Sequence, residues 1–111
     1  MELFQNWNEL RSVPLGILDR KLFTGEQVML VQNTVHPHEL LPLHSHPHEQ
    51  ILMVLSGACD VTTDGVTQHL TEGGLAWFLS GAEHSVLNTE DVPLVALDVF
   101  SPIREDFLAN E

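Results

Sequence analysis

Turn signals punctuate this chain about every eight to twelve residues, and no stretch between them keeps a helical period for long. Gly25, Pro37, Ser56-Gly57, Asp64-Gly65, Gly73-Gly74, Ser80-Gly81 and Asp91-Val92-Pro93 mark the breaks. The β-type runs they bound are 27–35, 50–55, 58–63, 66–70, 75–79, 85–88 and 94–101. Asp64-Gly65 between two alternating runs is a hairpin signal, because both central turn positions favour residues that tolerate positive φ. Single helical turns are expected only near 8–12 and 103–108. Many short strands with regular turns predict an all-β sandwich or barrel. The runs 51–55 and 94–97 are apolar on both faces, which predicts one side lining a barrel and the other side covered. A small antiparallel barrel can close around one metal and one small ligand.

A length of 111 residues suits one domain spanning 1–111, and 43% hydrophobic residues suit a packed core. The longest apolar run, about five residues, is far short of the roughly 20 that span a bilayer. The N-terminus lacks the basic start and apolar core of a signal peptide, so a cytoplasmic location is expected. A single cysteine, Cys59, excludes an internal disulfide and a zinc finger, and reads as a small buried strand residue. The net charge of −12, from four basic against sixteen acidic residues, excludes nucleic acid and anionic membranes as partners. A small anionic substrate stays compatible with it, since a metal ion and one arginine can reverse the potential inside a pocket.

The chemistry concentrates in the run Leu43-His44-Ser45-His46-Pro47-His48-Glu49-Gln50. Positions two apart in a strand share a face. His44, His46 and Gln50 therefore lie on one side, and His84 arrives later, after a glycine turn. Three imidazoles and an amide oxygen make a believable ligand set for a divalent transition metal. His36-Pro37-His38 repeats the spacing but sits at a proline turn without a following partner, and reads as a solvated loop. His48 has the same parity, disturbed by Pro47, and reads as a flanking residue that supports the ligands. Glu49 competes with Gln50; parity favours Gln50, and a bulge at Pro47 would reverse the choice.

The run 94–101 and its continuation hold the second group of interest. Asp98 and Phe100 share a face with Leu94 and Ala96, so a carboxylate points where apolar residues belong. A buried acid beside a metal and an aromatic ring is a candidate general acid/base; the alternative is a surface aspartate on an edge strand. Arg104, just past Pro102, either folds over the barrel mouth to clamp a carboxylate or pairs locally with Glu105 or Asp106.

These segments resemble the two motifs of the cupin superfamily. The first motif (glycine, His-x-His, glutamate, glycine) falls on His38, His44, His46, Gln50 and Gly57. The second (glycine, Pro-x-Gly, histidine, asparagine) falls on Gly73, Leu79, Gly81, His84 and Asn88, with its spacing kept. His38 and Leu79 replace turn residues of the pattern. Gln50 replaces the glutamate ligand, so the ligand set is neutral and leaves the metal its full charge. That favours Lewis-acid chemistry on an anionic substrate over redox chemistry.

Over about 15–107 the chain is similar to small KdgF-like cupins, the pectin-degradation proteins that linearise unsaturated uronates. The resemblance implies a double-stranded β-helix (jelly roll) and a metal held by His44, His46, Gln50 and His84. It implies activity carried by Asp98, Phe100 and Arg104. It further implies one divalent transition metal (nickel, zinc, iron, manganese or cobalt), a small sugar-acid substrate and a homodimer. The apolar segment 13–18 is a candidate to pair with a partner's sheet edge. A non-catalytic metal- or sugar-binding cupin and an iron- or manganese-dependent dioxygenase are the rival classes.

Overall fold

Alternation of period two organises the strands of this chain, as seen in a computed structural model that describes residues 3–109. In β3 (Met29–Val35) every odd residue is buried and every even one half-exposed; β10 (Leu94–Ser101) repeats the pattern with Leu94, Ala96, Asp98 and Phe100 inward. The other strands are β1 (Val13–Pro14), β2 (Leu18–Thr24), β4 (Leu40–His44), β5 (Glu49–Ser56), β6 (Cys59–Thr63), β7 (Val66–Leu70), β8 (Leu75–Phe78) and β9 (His84–Asn88). They form a six-stranded sheet, β1-β2-β3-β10-β5-β8, and a four-stranded sheet, β4-β9-β6-β7, with antiparallel pairing throughout. Among the described residues, helix is confined to one 3₁₀ turn, Trp7–Glu9, and α1, Glu105–Leu108. None of the helices is long and apolar enough to cross a membrane.

All seven sequence-read runs are strands. Asp64 and Gly65 form the hairpin between β6 and β7 with φ of 52° and 72°, the left-handed pair such a turn requires. The strands β1, β2 and β4 were not read from the sequence. Segment 13–18 supplies β1, an edge strand paired within its own sheet to β2. The outer side of 51–55 is open within the single chain, where Ile51 and Leu55 face outward with 47% and 36% exposure.

The inner faces enclose two apolar clusters. Leu18, Val35, Leu52, Val54, Phe78 and Leu94 belong to the larger one. Met29, Val31 and Phe100, with Ile103 and Phe107 against them, form the smaller. Cys59 is fully buried, and burial pushes its thiol up to about 11, which keeps it protonated and unreactive.

Candidate metal centre and its pocket

Three polar residues cross the inner face of the six-stranded sheet on a diagonal. Asn33 lies opposite Ala96, Asp98 opposite Val31 and Leu52, and Gln50 opposite Phe100 and Phe78. Diagonal neighbours on one sheet face are within side-chain reach. Here they connect: Asn33 Nδ2 donates to Asp98 Oδ2 and Gln50 Nε2 donates to Asp98 Oδ1, each at 2.9 Å. Arg20, directly across from Asn33 on β2, donates its Nε to Asn33 Oδ1 at 2.9 Å. A guanidinium only donates and a carboxylate only accepts. Both amides are thereby locked in one orientation. The oxygen of Gln50 must point away from Asp98, and it lies 3.1 Å from His46 Nε2.

The histidines approach from the other sheet. His44 on β4 pairs with His84 on β9, and His46 follows just beyond the end of β4. Each ring has its Nδ1 on a backbone carbonyl: His44 on Pro42 at 2.8 Å, His46 on His48 at 3.0 Å, His84 on Ala82 at 3.1 Å. A carbonyl accepts only, so each Nδ1 carries the hydrogen and each neutral ring keeps its lone pair on Nε2. One ring nitrogen from each of the three lies within 4.8 Å of the others. His84 Nε2 is buried without a hydrogen-bond partner, and His46 Nε2 faces an amide oxygen instead of a donor. Opposed lone pairs and an orphaned buried nitrogen are both unfavourable unless something electron-poor lies between them. The residues present therefore fit a divalent metal, with Gln50 Oε1 in reach as a fourth donor.

Burial lowers the pKa of His84 to about 4 and lowers that of His46 as well, so both rings stay in the neutral form that ligates. Phe78 stacks flat on His84, centroids 4.1 Å apart and planes at 7°. Phe100 meets His46 edge-on at 5.6 Å. These contacts hold the ring planes.

Glu49 points the other way, exposed on the outer face, where it accepts from Trp77 Nε1 at 2.8 Å. His48 contributes its carbonyl to His46, and its own ring lies 5.5 Å from that of His46. His36 and His38 stay outside the site, paired with Asp19 at 3.5 Å and Asp91 at 2.5 Å. His38 has φ 62°, the backbone conformation that a glycine at this motif position would supply.

Asp98 is 3% exposed on a strand flanked by β3 and β5. The alternative of a surface aspartate on an edge strand is thus excluded. Burial pushes its carboxyl up to about 6, against the opposing pull of the Gln50 and Asn33 amides and of Arg20. Phe100 is buried beside it. Arg104 makes the local pair with Asp106 and also lines the cavity. Its Nε and one terminal amino group hold the two Asp106 oxygens at 3.0 and 2.9 Å, while the guanidinium lies over Phe107 and Phe100 and lines the cavity. That cavity, about 140 Å³, brings His44, Gln50, His84, Asp98, Phe100 and Arg104 together.

Arg20 and Asn33 also line it and were missed in the sequence. A signal existed for Asn33, which occupies a core-facing position in the alternation of Met29, Val31 and Val35. Arg20 left none, being one of three consecutive charged residues, Asp19 to Lys21, in a strand without alternation.

The cupin domain family matches residues 31–100 of this chain. No curated protein matches the sequence. An RmlC-like cupin from Shewanella frigidimarina has a similar structure, with a TM-score of 0.89 and 27% identity over 96% of each chain. KdgF from Halomonas sp. matches with a TM-score of 0.89 and 24% identity, over 96% of this chain and 99% of that one. A predicted oxalate decarboxylase from Thermotoga maritima matches with a TM-score of 0.81 and 17% identity, over 91% and 100%. At these identities the last two show a shared fold alone.

Proposed function

The chain belongs to the cupin domain family, and from that premise we propose that it is a metal-dependent isomerase converting 4,5-unsaturated uronate monosaccharides to their linear keto form. One observation carries the reading. A buried carboxylate (Asp98), a guanidinium (Arg104) and an aromatic ring (Phe100) converge in one small cavity with His44 and His84 of the three-imidazole cluster. His44, His46, His84 and Gln50 would hold the metal, whose undiminished charge supplies Lewis acidity toward substrate oxygens.

Opening such a sugar moves protons and needs no oxidant. The anomeric hydroxyl loses a proton, the bond from C1 to the ring oxygen breaks, and C4 gains a proton as the enol becomes a ketone. The change is an isomerisation, so a carboxyl that accepts one proton and returns one balances it. Asp98 suits that task, because its raised pKa of about 6 lets both forms be populated near neutrality. Arg104, held by Asp106, places its guanidinium over Phe100 and Phe107 at the cavity wall, where its remaining N–H groups can donate to substrate oxygens. Phe100 supplies an apolar wall for the sugar ring.

The test follows the ultraviolet absorbance of the substrate's enol ether. Metal-loaded protein should abolish it with unsaturated galacturonate. At saturating metal, Asp98→Ala and Arg104→Ala should each retain the ion on the three histidines and lose about 100-fold or more in rate. Wild-type rates in both variants contradict the proposal.

A further inference from the structure

The cavity holds a second guanidinium, and it is used differently from the first. The Cζ atoms of Arg20 and Arg104 lie 3.8 and 4.0 Å from the centroid of the same Phe107 ring. Arg104 is engaged in bidentate fashion by the Asp106 carboxylate, which compensates its charge. Arg20 makes a single hydrogen bond among the described residues, from Nε to the neutral amide oxygen of Asn33. Both oxygens of the nearby Asp98 already accept from Asn33 and Gln50. The terminal amino groups of Arg20 have no hydrogen-bond acceptor among the described residues, on a residue that lines the cavity.

Arg20 is half-buried, and burial lowers its pKa against the opposing pull of the Asp98 carboxylate. Its terminal amino groups are therefore open to an incoming acceptor. The chain has only four basic residues, and two of them converge on one aromatic ring. The free fork of a guanidinium matches the two oxygens of a carboxylate.

We propose that Arg20 is the carboxylate-binding residue of the pocket, receiving the acid group of a sugar acid in its free fork while Arg104 stays committed to Asp106. The identity of the sugar rests on the function proposed above. Selection of a carboxylate over a neutral group rests on Arg20 alone.

Calorimetric titration of the metal-loaded protein with D-galacturonate and with D-galactose tests this, since the two sugars differ in the acid group. The wild type should prefer galacturonate. Arg20→Met should weaken galacturonate binding about tenfold or more and leave galactose binding unchanged. Arg20→Lys, which keeps charge without the fork, should fall between them, and it serves alone if Arg20→Met does not fold. Bound metal is measured in each variant, so loss of the metal site is not mistaken for loss of the anion site. No preference for galacturonate in the wild type overturns the proposal, as does an equal loss for both sugars on substituting Arg20. A wild type that prefers galacturonate through Arg20 yet leaves unsaturated uronate unchanged contradicts the proposed reaction while supporting the anion site.

Discussion

Asp98 is where two amides meet, and neither can turn without breaking a bond elsewhere. Asn33 must give its oxygen to Arg20, and Gln50 must give its oxygen to the histidine cluster. A carboxylate satisfies both amide nitrogens; an asparagine, with one oxygen and one amino group, satisfies one. Asp98→Asn therefore forces an amide to rotate, and the less tethered of the two is Gln50. Its amino group would then face His46, and the fourth metal donor is lost. Metal affinity should fall about 10–100-fold, read by calorimetric titration of the metal-free protein, and an unchanged affinity would refute this orienting role. Strand parity made Gln50, Asp98 and Phe100 legible in the sequence, because a polar residue at an inward position is conspicuous. Arg20 was not legible. Its partners Asn33 and Phe107 are 13 and 87 positions away, and only strand pairing and the returning C-terminal turn bring them together.

Glycine positions separate turns that need only a backbone conformation from turns that also need space. Gly57 ends β5 with φ +90°, and an added Cβ would meet the Pro93 carbonyl oxygen at 3.0 Å and Leu94 Cα at 3.3 Å. Gly65 has φ +72° with nothing within 4 Å. Gly57→Ala should destabilise by about 2–3 kcal/mol and Gly65→Ala by about 1 kcal/mol. Urea unfolding measures both, and equal costs would contradict a close approach at Gly57. The strands that escaped the sequence reading share a physical reason. β2 is half-buried at six of its seven positions, so no alternation marks it. β4 carries Pro42 and a register shift between Leu41 and His44, and β1 has two residues. Strands such as β3 and β10, by contrast, are apolar runs bounded by turn residues, and each has one fully buried face.

At the scale of the molecule, the proposed ligand set spans both sheets: His44 and His84 come from the four-stranded sheet and Gln50 from the six-stranded one. A metal that ligates the folded arrangement alone should stabilise it by about 4 kcal/mol at a free concentration about 1,000 times Kd. Stripping it with a chelator should lower Tm, and an unchanged Tm would contradict a bridging site. The charge of −12 acts over the whole surface as self-repulsion. Raising NaCl from about 0.01 M to about 1 M shortens the screening length from about 30 Å to about 3 Å. Tm of the metal-free protein should rise across that range, and a steady fall would show that attractive pairs dominate instead. The most direct test of the metal centre is anomalous scattering from crystals of the metal-loaded protein. One peak is expected per chain, bonded to Nε2 of His44, His46 and His84 and to Oε1 of Gln50. A peak bonded through Nδ1 or at Glu49, or none among the three imidazoles, would contradict the account.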